Sequence, residues 1–132
     1  MLRIYCDTNV FLDMLNNRSD SLRPIGLFAF HFFQKGWNCA FHLVISDWTL
    51  TELKKYASEA DISELLGYFK ERDKLIIITC SPQDIALAKK SLHWQDALHT
   101  IIAERSGCAI LVTRNVADFS SSKVDIARPE SI

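Results

Sequence analysis

Short apolar runs alternate with stretches of helical periodicity, and this alternation is the strongest constraint on the fold of the chain. Continuous apolar or β-branched runs predict strands at residues 2–6, 39–45, 74–80, 109–113 and, at a sheet edge, 124–127. Strands separated by helices imply βαβ crossovers, because neighbouring parallel strands need a long connection. The sequence therefore predicts an α/β fold with three layers, in which helices cover both faces of a mainly parallel central sheet.

The stretches between these strands carry the start and stop signals of helices. Apolar residues on one side predict helices at residues 9–16 and 25–34, with Lys35 and Gly36 closing the second. A further helix at residues 94–105 stops before Gly107, a residue suited to a left-handed helix end. Cap residues predict three more starts, namely Ser46 or Asp47 for a helix through residue 56, Asp61 or Ser63 for one through residue 70, and Ser81 with Pro82.

Length and charge limit the classes of protein to which the chain can belong. The 132 residues fit one domain, residues 1–132, and the net charge of −1 excludes the basic surface of a general nucleic-acid-binding protein. It does not exclude an enzyme that meets phosphates through metal ions. No run approaches the ~20 apolar residues of a membrane span, and the first residues lack the pattern of a secretory signal. We expect a cytoplasmic protein without a membrane partner, with four reduced cysteines: Cys6, Cys39, Cys80 and Cys108.

Acidic and amide side chains are predicted to meet at one edge of the sheet. Ligands of parallel α/β sheets bind beyond the carboxyl ends of the strands. Carboxylates gathered there repel one another unless a divalent cation lies between them, and oxygen ligands suit Mg²⁺ or Mn²⁺. Such ions promote phosphodiester cleavage. The candidates are Asp7 after the first strand, Glu52 in the helix after the second, Asp96 in the first turn of a later helix, and Asn115 and Asp118 after the fourth strand.

Each acid also has an ordinary structural explanation. Asp7 is placed to cap a helix, and Glu52 to face solvent beside Lys55. Asp96 is placed to complement a helix dipole, and Asp118 to sit in a turn. No single acid predicts a site, so the prediction rests on their conjunction.

The segments "IYCDTNVFLD", "TLTELKK" and "WQDALHTIIAERSGCAILVTRNVADF" resemble the successive acidic motifs of PIN-domain ribonucleases, and most closely the VapC-type toxins of toxin–antitoxin pairs. The resemblance implies a PIN-like fold and places metal-binding acids at Asp7, Glu52 and Asp96. Many relatives carry an aspartate where this chain has Asn115, so the fourth acid is assigned to Asp118. The resemblance further implies that Thr8 and Asn9 orient Asp7, that Thr113 shapes the loop, and that Asn115 hydrogen-bonds water or substrate.

The resemblance implies a Mg²⁺- or Mn²⁺-dependent endoribonuclease that acts on RNA, forms a homodimer and is neutralised by an antitoxin. The apolar helix "IGLFAFHFF" is predicted to face a second copy or that antitoxin. The alternative is a PIN scaffold that binds RNA or a partner without cutting. A haloacid-dehalogenase-type phosphatase is disfavoured because Asp7-Thr8-Asn9 lacks the D-x-D pair that such enzymes need.

The sequence is compatible with more than one role for two further groups of side chains. His99 follows Asp96 by three helical positions and is predicted to be a partly buried structural histidine near the site. Trp37, Trp48 and Trp94 are able to stack on bases, although tryptophans more often anchor a core or an interface.

Overall fold

A computed structural model of the chain describes residues 1–19, 22–119 and 122–132. Its centre is a five-stranded sheet with the order β3-β2-β1-β4-β5, in which every pair of neighbouring strands is parallel. The predicted α/β class and parallel sheet are therefore confirmed. The strands are β1 (Arg3–Cys6), β2 (His42–Ser46), β3 (Leu75–Ile78), β4 (Ile110–Val112) and β5 (Asp125–Ala127).

The register of the strands brings the ends of β1, β2 and β4 to one edge. Cys6 pairs with Val112, and Tyr5 pairs with both Val44 and Leu111. Asp7, which follows β1, donates its backbone N–H to the carbonyl of Val112 at 2.9 Å. Residues that directly follow these strands therefore share the carboxyl edge of the sheet.

Helices cover both faces and bury two separate cores. One core joins Ile4 and Leu43 to an aromatic group around Phe33, and the other joins Tyr5 and Val44 to Leu98. Alternate residues of β1 and β2 thus supply opposite cores, as a strand covered on both faces requires. The helices are α1 (Thr8–Leu15), α2 (Ile25–Trp37), α3 (Asp47–Leu53), α4 (Glu59–Glu71), α5 (Pro82–Ala88) and α6 (Trp94–Arg105), with short 3₁₀ helices at Val116–Phe119 and Pro129–Ser131.

The predicted end of the second helix is wrong. Helix α2 continues through Lys35 and Gly36 to Trp37. A Cβ atom at position 36 would lie 2.5 Å from the ring of Phe69 and 3.0 Å from that of Phe41. Gly36 therefore serves close packing between α2 and its neighbours and does not end the helix.

Helix caps were predicted with mixed success. Ser46 caps α3 and Ser81 caps α5, as predicted, but α3 ends at Leu53 and does not reach residue 56. Helix α4 begins earlier than predicted, because the hydroxyl of Ser58 accepts the N–H of Asp61 and takes the cap position from Asp61 and Ser63. Helix α6 spans the predicted residues, and Gly107 follows it at a φ of +72°.

The state of the cysteines agrees with the expectation drawn from composition. Cys6, Cys39, Cys80 and Cys108 are all free thiols. Among the described residues, no helix combines the length and the apolar character needed to cross a membrane.

Candidate metal centre

Asp7 is held rigidly at the point where β1 becomes α1. Its side chain caps α1, with Oδ1 accepting the backbone N–H of Thr8 at 2.7 Å. Its other oxygen, Oδ2, accepts the hydroxyl of Thr113 at 2.8 Å, from the segment after β4. Only 6% of Asp7 is exposed. The capping role considered for Asp7 is thus real, and it fixes a buried carboxylate at the sheet edge.

Glu52 meets Asp7 from α3. Its Oε1 atom accepts the hydroxyl of Thr8 at 2.6 Å and lies 2.6 Å from Nε2 of His99. The side chain of Glu52 is only 22% exposed, so it is not the fully solvated charge that its sequence position also allowed. Thr8 therefore joins the two acids, through its backbone N–H to Asp7 and its hydroxyl to Glu52.

His99 is the least expected member of this group. It is buried in α6, and its Nε2 atom lies 3.7 Å from Oδ1 of Asp7 as well as against Glu52. The other ring nitrogen, Nδ1, lies 2.7 Å from the hydroxyl of Tyr5, which in turn lies 2.8 Å from that of Ser46. Ligand atoms of Asp7, Glu52 and His99 all fall within 4.8 Å of one another.

The electrostatics of the three groups reflect their burial and their contacts. Burial raises the pKa of Asp7, although the charge of His99 and the hydroxyl of Thr113 oppose it. Burial would also raise the pKa of Glu52, but the hydrogen bond and charge of His99 outweigh it, so this pKa is lowered. Burial would lower the pKa of His99, and the contact with Glu52 and the charge of Asp7 raise it instead. The imidazole thus partly balances two carboxylates.

Asp96 and Asp118 lie outside this group but share its electrostatic field. Asp96 is half-buried in the first turn of α6, and its pKa is raised by burial first, then by the charges of Asp7 and Asp118. Asp118 is exposed in the 3₁₀ helix after β4, where its backbone N–H donates to the carbonyl of Asn115. The charges of the other three predicted acids therefore act on Asp96, while only Asp7 and Glu52 belong to the tight cluster of ligand atoms.

Thr113 organises the remaining predicted residues. Its hydroxyl, which donates to Asp7, accepts the side-chain amide of Asn9 at 3.4 Å and the backbone N–H of Asn115 at 3.1 Å. The side chain of Asn115 is exposed. Asn9 thus reaches Asp7 through Thr113, and Asn115 lies on the solvent side of the site.

Asp13 is a buried acid near the site that was not among the predicted candidates, although it ends the quoted segment "IYCDTNVFLD". It lies on α1 at 2% exposure, with Oδ2 3.4 Å from Nε of Arg114 and Oδ1 3.7 Å from Nη1 of Arg18. Burial raises the pKa of Asp13, and the two guanidinium groups oppose that rise. The sequence signal for this contact was an aspartate on the apolar side of a helix. Such an acid is buried on folding and therefore needs a partner. Asp13 ties α1 to the segment that carries Asn115 and Asp118.

The donor set fits a divalent cation. Two carboxylates and one imidazole nitrogen lie close enough to share an ion, and a tyrosine hydroxyl holds the far side of the imidazole. Histidine ligands in proteins are commonly oriented by such a contact on the second ring nitrogen. The set combines oxygen and nitrogen, whereas the sequence predicts oxygen ligands alone.

A scan against models of protein families and a search of curated proteins both find no match. Among solved structures, a chain of VapBC2 from Rickettsia felis, bound to a DNA fragment from its promoter, is similar at 18% identity and a TM-score of 0.63, over 96% of this chain and 98% of that one. A chain of a toxin–antitoxin complex from Klebsiella pneumoniae is similar at 25% identity and a TM-score of 0.63, over 96% and 97%. FitAcB from Neisseria gonorrhoeae is similar at 14% identity and a TM-score of 0.60, over 98% and 99%.

These similarities extend along almost the whole chain. The predicted resemblance to the VapC-type, PIN-like proteins of toxin–antitoxin complexes is therefore confirmed as a likeness of fold.

Proposed function

We propose that the protein is a metal-dependent endoribonuclease and the toxin of a type II toxin–antitoxin pair. The observation that carries this proposal is the cluster of Asp7 and Glu52 at one sheet edge, with Asp96 in its electrostatic field and without an arginine or lysine partner in the part of the chain that the structure describes. Among the described residues, no arginine or lysine forms a salt bridge with any of the three. Carboxylates arranged in this way attract a divalent cation.

In this proposal Asp7, Glu52, Asp96 and Asp118 hold Mg²⁺ or Mn²⁺. When bound, such an ion stabilises charge on a phosphodiester and lowers the pKa of bound water. Thr113 and Thr8 keep Asp7 in place through the two hydrogen bonds to its carboxylate. His99 is a positioning residue in this proposal and not a ligand, because its Nε2 atom is engaged by Oε1 of Glu52 at 2.6 Å. One domain, residues 1–132, would carry the whole activity in the cytoplasm.

The proposed antitoxin would bind on the outer side of α2. This helix buries Phe32 and Phe33 but leaves Leu27 48% and Phe30 38% exposed. The ring centroid of Phe30 lies 5.9 Å from that of Trp37, and the ring centroid of Trp37 lies 4.9 Å from that of Tyr68. This aromatic strip borders a cavity of about 200 Å³ that includes Asp61 and Glu64. An amphipathic segment with basic residues matches such a surface.

The homodimer is part of the same proposal and competes for the same apolar strip. Light scattering of the protein alone and with its antitoxin tests both. A Phe30→Asp variant should lose whichever partner covers α2, because a buried charge without a partner is costly. A monomer that binds no antitoxin at this helix would remove the assembly proposal.

A catalytically weak scaffold that binds RNA is the second candidate. Two observations favour it. Oε1 of Glu52 is already engaged by His99 and Thr8, and position 115 carries a neutral amide in place of an acid. RNA binding without cleavage at any metal concentration would support this candidate.

Purified protein incubated with RNA and Mn²⁺, with and without EDTA, separates the two candidates. The nuclease proposal expects cleavage that EDTA abolishes and that Asp96→Asn reduces by orders of magnitude. Asp61→Asn is a matched control, because Asp61 is the third residue of α4 as Asp96 is the third residue of α6. Cleavage that persists in EDTA, or at the wild-type rate in Asp96→Asn, would overturn the proposed metal centre.

A further inference from the structure

A pair of tryptophans lies beside the acid cluster on the same two helices. Trp48 is on α3, one helical turn before Glu52, and Trp94 opens α6, two residues before Asp96. Their ring centroids are 5.3 Å apart with an interplanar angle of 37°. One helical turn rises about 5.4 Å, so Trp48 and Glu52 are neighbours along α3, and the aromatic pair adjoins the acids of the proposed metal centre along the chain.

The two indoles border a cavity of about 350 Å³, whose other walls include Thr51, Lys89 and Leu98. This volume falls in the range of about 300–1,000 Å³ that small-molecule sites occupy. Asp47 also lines the cavity, but its Oδ1 atom accepts the backbone N–H of Cys80 at 2.9 Å and is thus engaged. The cavity therefore offers aromatic surface next to a polar wall.

Two ammonium groups accompany the two rings. Nζ of Lys55 lies 5.8 Å from the ring of Trp48, and Nζ of Lys89 lies 5.5 Å from the ring of Trp94. Both lysines are exposed, and neither makes a salt bridge with a described residue. Aromatic faces flanked by positive charges are typical of sites that bind single-stranded nucleic acids, where bases stack and phosphates meet cations.

The indole of Trp48 also has a hydrogen-bonding capacity that the described residues leave unused. Its Nε1–H is buried and has no partner among them. A buried donor without an acceptor is unfavourable, so an acceptor that reached this N–H after a small movement of the indole would be stabilised. Nucleobases carry carbonyl and ring-nitrogen acceptors on their edges.

We propose that the pocket between Trp48 and Trp94 binds a nucleobase of single-stranded RNA, while Lys55 and Lys89 bind the adjoining phosphates. The proposal rests on the proposed ribonuclease function and adds to it a base-binding site beside the acids. It requires an unpaired base, because a base stacked inside a duplex cannot enter the pocket. The alternative is that the two indoles only close the edge of the core around Leu98.

Fluorescence anisotropy of a labelled single-stranded RNA of about a dozen nucleotides tests the site. Measurements in the Asp7→Asn background keep the RNA intact. Trp48→Leu and Trp94→Leu should each weaken binding by roughly 5- to 100-fold, the range expected for one lost stacking partner. Lys89→Gln should weaken binding less and reduce its dependence on salt concentration. Duplex RNA should bind weakly and respond little to the tryptophan changes.

Trp37→Leu is the matched control. Trp37 is also part-buried and also has an unpartnered buried Nε1–H, but its cavity is bordered by Asp61 and Glu64. It should bind RNA like the parent protein. If the leucine variants fail to fold, Trp48→Phe and Trp94→Phe replace them, because each keeps an aromatic face. Fluorescence offers a second measurement: in a Trp37→Phe protein, RNA should still quench the fluorescence of the tryptophans that remain.

Three results overturn the base-binding site. The first is unchanged RNA affinity in folded Trp48→Leu and Trp94→Leu, and the second is an equal loss in Trp37→Leu. The third is loss of antitoxin binding, with RNA affinity intact, in the Trp48 variant. Cleavage is measured separately, so a protein that cuts RNA normally without these tryptophans refutes only the pocket. A protein that binds RNA through them without cutting refutes only the nuclease.

Discussion

Asp7 and Asp84 are both buried aspartates at the start of a helix, and their surroundings shift their pKa values in opposite directions. Burial raises the pKa of Asp7, whose acidic neighbour Glu52 adds to the rise. Burial would raise the pKa of Asp84 too, but hydrogen bonds from Ser81 and Arg105 outweigh it and lower this pKa. Both residues are nearly shielded from water, at 6% and 5% exposure. Asp7 lies deeper in the protein than Asp84, so both the depth of burial and the partners contribute to the difference in pKa.

The negative charge of Asp84 is balanced by contacts within the protein more fully than that of Asp7. Oδ2 of Asp84 accepts the N–H of Ser81 at 2.9 Å and Nη2 of Arg105 at 2.8 Å, while Oδ1 accepts Nε of Arg105 at 3.2 Å. This two-point contact balances the charge within the protein. Asp7 has hydroxyl and amide donors but only an imidazole for charge balance. A buried acid without a matching arginine is thus the better candidate for a metal ligand.

Asp7→Asn gives the largest expected effect. Cleavage should fall by about 10²–10⁴-fold, because metal-assisted charge stabilisation is worth several kcal/mol. The fold should persist, since an asparagine oxygen can still cap α1 and a buried charge is removed. Rates in Mn²⁺ and a thermal melt of the metal-free protein measure the two quantities. A variant that cuts like wild type would remove Asp7 from the metal centre.

Asp84→Asn should give the reverse pattern, with cleavage near wild type and a stability loss of about 1–3 kcal/mol from the weakened contacts to Arg105. The folded-state pKa of Asp84 lies below its ordinary value of 3.8, so its stabilisation is present above that pH. The gap between wild type and variant should therefore close as the pH falls below 3.8. Urea unfolding across a pH series tests this, and a gap independent of pH would contradict it.

Asp118→Asn should have an intermediate effect. Asp118 is exposed but raises the pKa of Asp96 through its charge, so it belongs to the same electrostatic group. The variant should need several-fold more Mg²⁺ for half-maximal cleavage and recover activity at high metal, because mass action offsets a lost ligand. Asn115→Asp is the companion change, which should be tolerated and should lower the half-saturating Mg²⁺ concentration.

An unchanged half-saturating Mg²⁺ concentration in Asp118→Asn would withdraw this residue from the site. The centre would then consist of Asp7, Glu52 and Asp96, and Asn115→Asp would be the one change that tightens metal binding.

The sequence predicted the layers and the sheet because both follow from periodicity and strand connections. Residues 94–105 became α6 as predicted, with Gly107 beyond it, since local signals suffice there. The end of α2 was predicted wrongly because the role of Gly36 depends on close packing against Phe69, which is distant in sequence, and against Phe41. A local propensity cannot foresee such packing.

The candidate site likewise combines residues that the sequence predicted with contacts that it did not. Asp7 was predictable from its place after a strand, whereas Thr113 was named only through the resemblance. The contact of His99 with Glu52 was not, because it joins α6 to α3 across 47 positions. The Asp13 contact with Arg114 was hidden for the same reason, since it joins α1 to the segment after β4. Spacing predicts which residues reach the sheet edge, but not how neighbouring helices pair their side chains.

Tyr5→Phe should produce the smallest effect and tests whether the imidazole is held in place from behind. The hydroxyl of Tyr5 lies 2.7 Å from Nδ1 of His99, whose other nitrogen contacts Glu52. Its loss frees the ring, so Glu52 should be less well placed and the half-saturating Mn²⁺ concentration should rise about 2- to 10-fold. This is less than the roughly 10- to 100-fold loss expected for a direct partner of a metal ligand, because Tyr5 acts through His99. Tyr56→Phe is the matched control, because Tyr56 is exposed and should not respond. Metal titrations of both variants, with melts to confirm folding, make the measurement. Lower stability with an unchanged metal response would show that Tyr5 only packs in the core, and His99 would then need no support from behind to place Glu52.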